Sequence, residues 1–362
     1  MIDDYGWSQA LRQQFQTYSD AHVQADRDLS PARVTVQQRG AYQIVTPLGE
    51  MTAHLSGRFG HTAVDGGYPV TGDWVAAALR PGEGSATIHW VLPRRSAFTR
   101  KAAGPGRPVG QVVAANADLA FLVSSLNADF NARRIERYLA TAWESGASPA
   151  VVLTKADLCA DREGPLMEVE AVARGVPIHV VSAVTGEGIE GLRNSFAPGQ
   201  TAVLLGSSGV GKSSLVNALA GAELMATGEI REDDARGRHT TTHRELLLLP
   251  NGRLVLDTPG MRELGLWQAE SGLATAFADM ETLATECRFT DCRHETEPGC
   301  AVQAAIAEGR LSEDRWDSWK KLQRELAYFD RKDDPALQAQ NRKMWIQRNK
   351  QYRAGKKRGD WD

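Results

Sequence analysis

An eight-residue stretch near the middle of the chain combines glycines, a lysine and serines at a spacing suited to phosphate binding. It matches the pattern G-x-x-x-x-G-K-S and reads Gly206-Ser207-Ser208-Gly209-Val210-Gly211-Lys212-Ser213. Glycines let the backbone turn sharply and bring N–H groups against phosphate oxygens. Lys212 is the predicted catalytic cation, since it can reach the β and γ phosphates, and the Ser213 hydroxyl can ligate Mg²⁺. The alternative is a glycine-rich turn that holds no ligand.

The segments on either side of this stretch support phosphate binding. Residues 201–205 read as a short buried strand, and residues 214–219 read as a helix whose first residue, Ser214, completes the predicted binding segment. The N-terminus of that helix adds a favourable dipole for an anion.

A second polar motif follows an earlier apolar strand, residues 150–153, and reads Thr154-Lys155-Ala156-Asp157. A carboxylate there can accept hydrogen bonds from N1–H and the 2-amino group of guanine, which adenine lacks, and the lysine stem can lie along the purine face. Ser182-Ala183 ends the next predicted strand, residues 177–181, where a backbone N–H could meet guanine O6. Alone the T-K-x-D pattern is weak, but the combination predicts a guanine site.

Downstream of the phosphate loop, the strand 254–256 leads into Asp257-Thr258-Pro259-Gly260, the D-x-x-G of a nucleotide switch. We expect Asp257 to approach Mg²⁺ through water and the Gly260 N–H to meet the γ-phosphate. Between the two motifs lies a polar stretch, residues 228–243, without periodic apolar residues. Thr241, with Thr240 as the neighbouring candidate, is the expected Mg²⁺ ligand of a loop that orders only with the γ-phosphate. An ordinary surface loop is the alternative.

The order of these motifs is unusual. Small GTPases usually present the phosphate loop first and the guanine-reading motif late, whereas here the guanine-reading pair precedes the phosphate loop. The sequence therefore predicts a circular permutation, which exchanges termini and loops at the surface of one sheet. The D-x-x-G switch then leads directly into the C-terminal region.

That region carries three cysteines and a histidine within fourteen residues, Cys287, Cys292, His294 and Cys300. Thiolate and imidazole ligands at this spacing suit a closed, structural, tetrahedral zinc site without an open catalytic position. Free thiols or a disulfide are the alternative. Cys159 stands apart and reads as a core or surface thiol.

At 362 residues the chain is long enough for several domains, and its net charge of −3 gives no global attraction to nucleic acid. No apolar run approaches about 18 residues, and the first residues lack the pattern of a signal peptide. We expect a cytoplasmic, monomeric protein without a membrane segment. The expected domains are a helical extension (1–30), a barrel (31–104), a permuted nucleotide-binding domain (109–280) and a zinc-binding domain with a basic helical tail (281–362).

The N-terminal third alternates in hydrophobicity. Trp7, Leu11 and Phe15 have helical spacing, and five short strands are predicted after them at residues 34–36, 41–45, 51–55, 74–79 and 86–91. Such a set suits an OB-fold barrel. The basic segment 93–101 then leads into a Gly/Pro-rich linker, and either a solvated linker or a phosphate-contacting loop fits it.

From residue 112 strands alternate with helices, which predicts a mainly parallel sheet covered on both faces. The first strand (119–123) is followed by an amphipathic helix (132–143).

The tail ends in a basic run without acids, residues 342–358, that includes Trp345 and Tyr352. Positive charge with interleaved aromatics suits RNA phosphate neutralisation and base stacking, and a solvated tail is the alternative.

Together these motifs resemble the RsgA family of circularly permuted, small-subunit-dependent ribosome biogenesis GTPases, over nearly the whole chain from about residue 33. The resemblance rests on the order T-K-A-D, S-A, G-S-S-G-V-G-K-S, H-T-T-T and D-T-P-G-M-R-E, flanked by the barrel and the Cys/His cluster. It implies an OB-fold, a permuted P-loop GTPase core and a C-terminal zinc domain. It also implies Mg²⁺-dependent GTP hydrolysis stimulated by the small ribosomal subunit and its rRNA, with a role in late subunit maturation.

Two residues depart from the usual GTPase pattern. Thr154 replaces the more frequent Asn that ties the base loop to the phosphate loop, so we expect a weaker tether there. Met261 stands where Ras-like enzymes have a water-orienting Gln. His239 is the candidate for that task, and a slow intrinsic rate is expected. An RNA-binding assembly factor that keeps its nucleotide as a structural ligand is the alternative function, and an ATP-using enzyme is disfavoured by Asp157 and Ala183.

Overall fold

The structure, a computed structural model, describes residues 1–21, 28–62, 67–101, 110–226, 244–257 and 269–333. Several sequence predictions lie outside these residues: the Mg²⁺ ligand Thr241, the γ-phosphate contact Gly260, the water-positioning candidate His239, Met261 and the basic tail.

Five strands near the N-terminus close into a barrel, as predicted. Their bounds are β1 (Leu29–Gln38), β2 (Ala41–Thr46), β3 (Gly49–Leu55), β4 (Trp74–Arg80) and β5 (Ser85–Val91). The strands neighbour one another in the order β1-β2-β3-β5-β4, and β4 pairs back onto β1. Closure leaves no free sheet edge and gives the OB-like architecture. The alternating inward side chains pack as one apolar cluster that includes Val34, Ile44 and Ile88.

An N-terminal helix covers part of the barrel. A 3-10 turn (Asp3–Tyr5) precedes helix α1 (Gln9–Ala21), and α2 (Gly57–Thr62) lies within the barrel segment. Trp7 packs against Phe15 at 6.1 Å and against Trp74 of β4 at 4.9 Å between ring centroids. Leu11 is buried in the same cluster. Leu11 and Phe15, about one turn apart on α1, therefore dock the helix, whereas Trp7 precedes the helix that its spacing predicted.

The basic segment after the barrel is partly a strand, where the sequence predicted a linker or loop. Strand β6 (Ala97–Lys101) pairs antiparallel with β7 (Gly110–Ala115). Phe98 faces Ala114 across this pair and is fully buried. Burial of such a side chain contributes roughly 1.5–3 kcal/mol, and this gain favours the hairpin over a solvated chain.

The central part of the chain is an α/β layer structure. Its strands are β8 (Leu119–Ser125), β9 (Ser148–Thr154), β10 (Ile178–Val180), β11 (Thr201–Leu205), β12 (Arg244–Leu248) and β13 (Leu254–Asp257). Their order is β10-β9-β8-β11-β13-β12, and the pairs are parallel except for β12 with β13. Its helices are α3 (Ala132–Ser145), α4 (Glu163–Val172), α5 (Ile189–Asn194) and α6 (Lys212–Ala220).

This sheet positions the candidate site. Its near-continuous apolar strands are buried on both faces, in two separate clusters, as a parallel sheet requires. Because β8, β9, β11 and β13 are parallel, their carboxyl ends share one edge. Ligands in open α/β sheets bind outside that edge. The motifs that are scattered along the chain therefore meet there.

Arg33 of β1 joins the barrel, the N-terminal turn and the α/β sheet. Its guanidinium is buried and donates to the carbonyl of Tyr5, to that of Gly72 at 3.3 Å, to that of Asn116 at 3.2 Å and to Thr201 Oγ1 at 2.9 Å. Burial lowers the pKa of Arg33 to about 10. Antiparallel pairing between β1 and β12 also joins the barrel strands to the α/β strands, in one continuous 11-stranded sheet.

Within residues 269–333, four helices follow the sheet: α7 (Glu270–Ala276), α8 (Ala278–Thr285), α9 (Ala301–Ala307) and α10 (Glu313–Asp333). They share a core that includes Phe277 and Trp316. Helix α7 packs so closely on α3 that a Cβ atom at Gly272 would lie 2.1 Å from the Ala140 carbonyl oxygen. Across the ranges that the structure describes, no helix is both long and apolar enough to cross a membrane.

Candidate nucleotide site and metal cluster

The phosphate loop connects β11 to α6, and its glycines are required by geometry. A Cβ atom at Gly206 would lie 2.6 Å from the Val123 carbonyl oxygen of β8, so the loop leaves the sheet in contact with the neighbouring strand. Gly209 and Gly211 have φ values of +77° and +92°, which disfavour any residue with a side chain. Val210 between them is buried in the core. The loop shape thus follows from the sequence pattern.

Lys212 is the first residue of α6, and its side chain folds back over the loop. Nζ donates to the carbonyl oxygens of Gly206 at 2.8 Å and Ser207 at 2.6 Å. The ammonium group is therefore held at the loop and only partly buried. Ser213 and Ser214 follow in the first turn, both partly buried. Ser208 and Gly209 are exposed, so the loop remains accessible to an anion.

The predicted guanine-reading loop begins where β9 ends. Lys155 has a left-handed φ of +60°, an unusual conformation for a residue with a side chain, and the Ala156 amide donates to the Val181 carbonyl at 3.2 Å. Asp157 is exposed, and its Oδ1 accepts a 2.5 Å hydrogen bond from Ser182 Oγ. The structure therefore brings the T-K-x-D and S-A motifs together.

The Ser182-Ala183 loop is itself tightly constrained. Ser182 is buried, and its Oγ accepts the amides of Val184 at 3.3 Å and Thr185 at 3.2 Å. Arg162 connects the two loops, because Nη2 donates to the Ala156 carbonyl at 2.7 Å while Nη1 binds Glu187 at 2.6 Å. Motif spacing did not reveal Arg162.

Thr154 does tether the base loop to the phosphate loop, and a weaker tether than Asn would make stays a prediction. Its Oγ1 donates to the Val210 carbonyl oxygen at 2.6 Å, and both residues are buried. The hydroxyl therefore reaches the phosphate loop directly, although it is shorter than the usual Asn side chain. The short threonine side chain can make this bond because the two loops lie close together: a Cβ atom built on Gly211 would be 3.9 Å from Thr154 Oγ1.

Two further residues at this edge were missed from the sequence. Arg134 of α3 donates to Ser207 Oγ at 2.8 Å and pairs with Asp129 at 2.8 Å. The hydrogen bond from Arg134 is the largest influence that lowers the pKa of Asp129. A weak signal existed, since Asn131 before an amphipathic segment suggests an N-cap and so places Arg134 in the first helical turn.

Asp257 is the last residue of β13 and is partly buried. Its strand is parallel to β11, with Leu256 opposite Val203, so Asp257 lies at the same sheet edge as the start of the phosphate loop. The remainder of the D-x-x-G motif and the threonine-containing stretch lie outside the described residues.

The Cys/His cluster lies between α8 and α9. The candidate ligand atoms of Cys287, Cys292, His294 and Cys300 all lie within 4.8 Å of one another. Cys287 Sγ is 3.3 Å from His294 Nδ1 and 3.9 Å from Cys300 Sγ, and Cys300 Sγ is 3.6 Å from the same Nδ1.

The three separations among Cys287, His294 and Cys300 match a tetrahedral zinc ion, and Cys292 Sγ lies within 4.8 Å of the other three ligand atoms. Bonds of about 2.3 Å to sulfur and about 2.05 Å to nitrogen imply roughly 3.8 Å between two sulfurs and roughly 3.6 Å from sulfur to nitrogen. Surrounding groups hold the ligands: Gln303 donates to the His294 carbonyl at 2.7 Å, and the histidine ring packs edge-on against Trp316 at 5.8 Å. The four predicted residues therefore form one group that could hold a metal. Cys159 is elsewhere, partly buried, and donates to the Asp161 carbonyl.

Comparison with known proteins identifies the family. A protein-family model described as RsgA GTPase matches residues 91–267 of this chain. A relative from Opitutus terrae, named small ribosomal subunit biogenesis GTPase RsgA, is 48% identical over 354 residues, with 95% of each chain covered. The chain belongs to the RsgA GTPase family. A Listeria innocua relative, small ribosomal subunit biogenesis GTPase RsgA 1, is also 48% identical and covers 87% of this chain and 89% of its own.

Solved structures agree with this RsgA family assignment. The crystal structure of YjeQ from Thermotoga maritima has a TM-score of 0.63 at 27% identity and covers 83% of this chain and 99% of its own. YloQ, described as a circularly permuted GTPase, has a TM-score of 0.60 at 22% identity, with coverage of 83% and 96%, and supports the fold. The predicted OB-like barrel, permuted GTPase core and helical C-terminal part with its Cys/His group are confirmed.

Proposed function

We propose that this protein is a GTPase that binds the small ribosomal subunit and hydrolyses GTP to time its own release during late subunit maturation. The observation that carries the proposal is the meeting, at one sheet edge, of the phosphate loop, the Asp157–Ser182 pair and Asp257. The names of the family relatives support the ribosomal role.

Each residue at this edge has a proposed task. Backbone amides from Gly206 to Ser214 bind the phosphates, and Lys212 neutralises charge on the β and γ groups. Asp157 selects guanine, with Ser182 holding one of its carboxylate oxygens at 2.5 Å and Ala183 supplying a backbone N–H. Lys155 covers the purine face, while Thr154 and Ala156 fix the loop by their bonds to Val210 and Val181.

Mg²⁺, bound with GTP, would be held by Ser213, Thr241 and, through water, Asp257, and would supply charge neutralisation during phosphoryl transfer. Hydroxyl and carboxylate oxygens are suitable ligands for this ion. Gly260 and His239 remain proposals for the γ-phosphate contact and for water positioning.

We further propose one structural zinc ion at Cys287, Cys292, His294 and Cys300. Its support is the agreement of the separations among Cys287, His294 and Cys300 with tetrahedral coordination, together with the presence of Cys292 Sγ within 4.8 Å of them. A closed set of four ligands leaves no position for substrate, so the metal would stabilise the connection between α8 and α9.

This proposal also includes the boundaries of the four domains, a monomeric state and a cytoplasmic location. It further includes contact with rRNA by the barrel or the basic tail. Sedimentation of the purified chain tests the monomer. Filter binding to small-subunit rRNA, with and without residues 342–358, tests the tail.

The decisive experiment measures GTP hydrolysis by the purified chain alone, with small subunits and with large subunits. Stimulation by small subunits alone supports the proposal, and Lys212→Ala or Ser213→Ala should abolish turnover. Nucleotide binding without turnover under all three conditions would instead favour an RNA-binding assembly factor with nucleotide as a structural ligand.

A further inference from the structure

Arg134 lies on the first turn of α3, and its guanidinium contacts the side chain of Ser207 in the phosphate loop. Its Nη1 donates to Ser207 Oγ at 2.8 Å and to Asp129 Oδ2 at 2.8 Å, and Nη2 donates to Asp129 Oδ1 at 3.2 Å. Ser207 Oγ in turn donates to Asp129 Oδ2 at 3.0 Å. Each of the three side chains therefore contacts both others, and the serine is held by a charged pair.

The backbone around this group is fixed by local hydrogen bonds. Asn131 caps α3, with Oδ1 accepting the Arg134 amide at 3.0 Å. Asn127 Oδ1 accepts the Asp129 amide at 3.1 Å and the Ser125 hydroxyl at 2.8 Å. Both members of the ion pair thus extend from backbone segments whose positions are determined by neighbouring side chains.

Helix α3 is itself anchored from the C-terminal helices. Glu136 is buried and accepts Arg315 Nη1 of α10 at 3.0 Å and also the Ser318 hydroxyl. Arg315 continues to Asp279 of α8 at 2.7 Å. Because separating the partners of a buried charge network is strongly destabilising, these contacts hold α3 against the C-terminal helices, and α3 can serve as a base for Arg134.

The first half of the phosphate loop needs such support. Gly206 contacts Val123 and Val210 is buried, but Ser208 and Gly209 between them are exposed. Phosphoryl transfer depends almost entirely on positioning and electrostatics, and a displacement of about 1 Å in an active site can reduce the rate about 100-fold. Ser207 is the residue through which α3 can set the position of this half.

We propose that Arg134 is a positioning residue for GTP hydrolysis, which, paired with Asp129, holds Ser207 and the first half of the phosphate loop against α3. This role rests on the GTPase function proposed above for the same site. It acts through Ser207 and requires no contact between the guanidinium and the nucleotide.

The test compares Arg134→Gln, Arg134→Lys and Ser207→Ala in the full chain, with small subunits present. Hydrogen bonds to charged groups contribute enough for about a tenfold effect or more, so Arg134→Gln and Ser207→Ala should each lower kcat about tenfold. GDP affinity should fall by a smaller factor than kcat, because a displaced loop can still bind GDP, whereas transfer of the γ-phosphate depends on the exact position of the loop. Arg134→Lys should lower kcat by an intermediate factor, because lysine lacks the forked geometry.

The double variant Arg134→Gln with Ser207→Ala distinguishes positioning from direct action. If Arg134 acts through Ser207, the double variant should be no slower than the slower single variant, because the two changes remove one shared interaction. The matched control is Arg12→Gln, which breaks another exposed Arg–Asp pair, 3.0 Å from Asp3 and on α1, without touching the loop. It should hydrolyse GTP at the unmodified rate.

Three results would overturn the inference. The first is an unchanged kcat for folded Arg134→Gln. The second is a large loss of kcat for Arg134→Gln together with full activity of Ser207→Ala, because the guanidinium would then act on the nucleotide itself. Absence of turnover by the unmodified chain under all conditions would overturn the GTPase function and the positioning role together. If Arg134→Gln does not fold, Arg134→Lys and Ser207→Ala carry the same comparison.

Discussion

The hydrogen bond from Thr154 to the phosphate loop offers a direct test of the site geometry. Thr154→Val removes the hydroxyl with little change of shape and leaves the buried Val210 carbonyl without its donor at 2.6 Å. Leaving a buried polar group unsatisfied costs about 1–3 kcal/mol. We expect most of this loss to appear in nucleotide binding, since the affected group is part of the loop that binds phosphate.

The assay is titration of the purified chain with a fluorescent GDP analogue. A loss of about 1–2 kcal/mol corresponds to roughly 5–30-fold weaker binding, and that is the expected result for Thr154→Val. Thr154→Ser keeps the hydroxyl and should bind GDP within about twofold of the unmodified chain.

Thr46→Val is the matched control. Thr46 is also fully buried and its hydroxyl donates to the Gly49 carbonyl at 2.8 Å, but in a barrel turn. The Thr46→Val variant should have a lower free energy of unfolding and an unchanged affinity for GDP. Equal GDP affinity for Thr154→Val and Thr154→Ser would refute the tether as an energetic contributor.

Three further predictions concern base selection, the helix network and the metal cluster. Asp157→Asn should weaken GTP binding and favour xanthine nucleotides, and unchanged GTP affinity in a competition titration would contradict the base-reading role. Glu136→Ala should lower the free energy of unfolding by about 1.5–3 kcal/mol, because Arg315 loses one of its two carboxylate partners and keeps only Asp279; urea denaturation measures this, and a loss below about 1 kcal/mol would argue against the network. Cys300→Ser should reduce zinc content, measured by elemental analysis, and lower the melting temperature; full zinc retention would exclude Cys300 as a ligand.

Much of the candidate site was predictable because its chemistry is local in the chain. The phosphate loop, the T-K-x-D motif and the Cys/His group are each short segments in which residue type and spacing specify what can be bound. The strands that present the nucleotide motifs also read clearly from apolar runs, and the predicted bounds of β8, β9, β10, β11 and β13 lie within a few residues of those observed. The permuted order was visible for the same reason.

The tertiary structure decided which residues support those motifs. The Arg134–Ser207 contact joins residues 73 positions apart, and the Thr154–Val210 bond joins residues 56 positions apart. Neither spacing has a sequence signature, because the sheet order brings β8, β9 and β11 side by side irrespective of chain distance. The β6–β7 hairpin likewise depends on burial of Phe98 against other elements, which the basic composition of its segment concealed.

The sequence by itself determined which chemical groups this protein offers: a phosphate loop, a carboxylate that can read guanine and a four-ligand metal set. Only the tertiary structure decided how the phosphate loop is held, through Arg134, Thr154 and, behind α3, the buried Glu136–Arg315 pair. The physical reason is that binding motifs depend on neighbouring residues along the backbone, whereas their rigidity depends on packing and hydrogen bonds between distant segments.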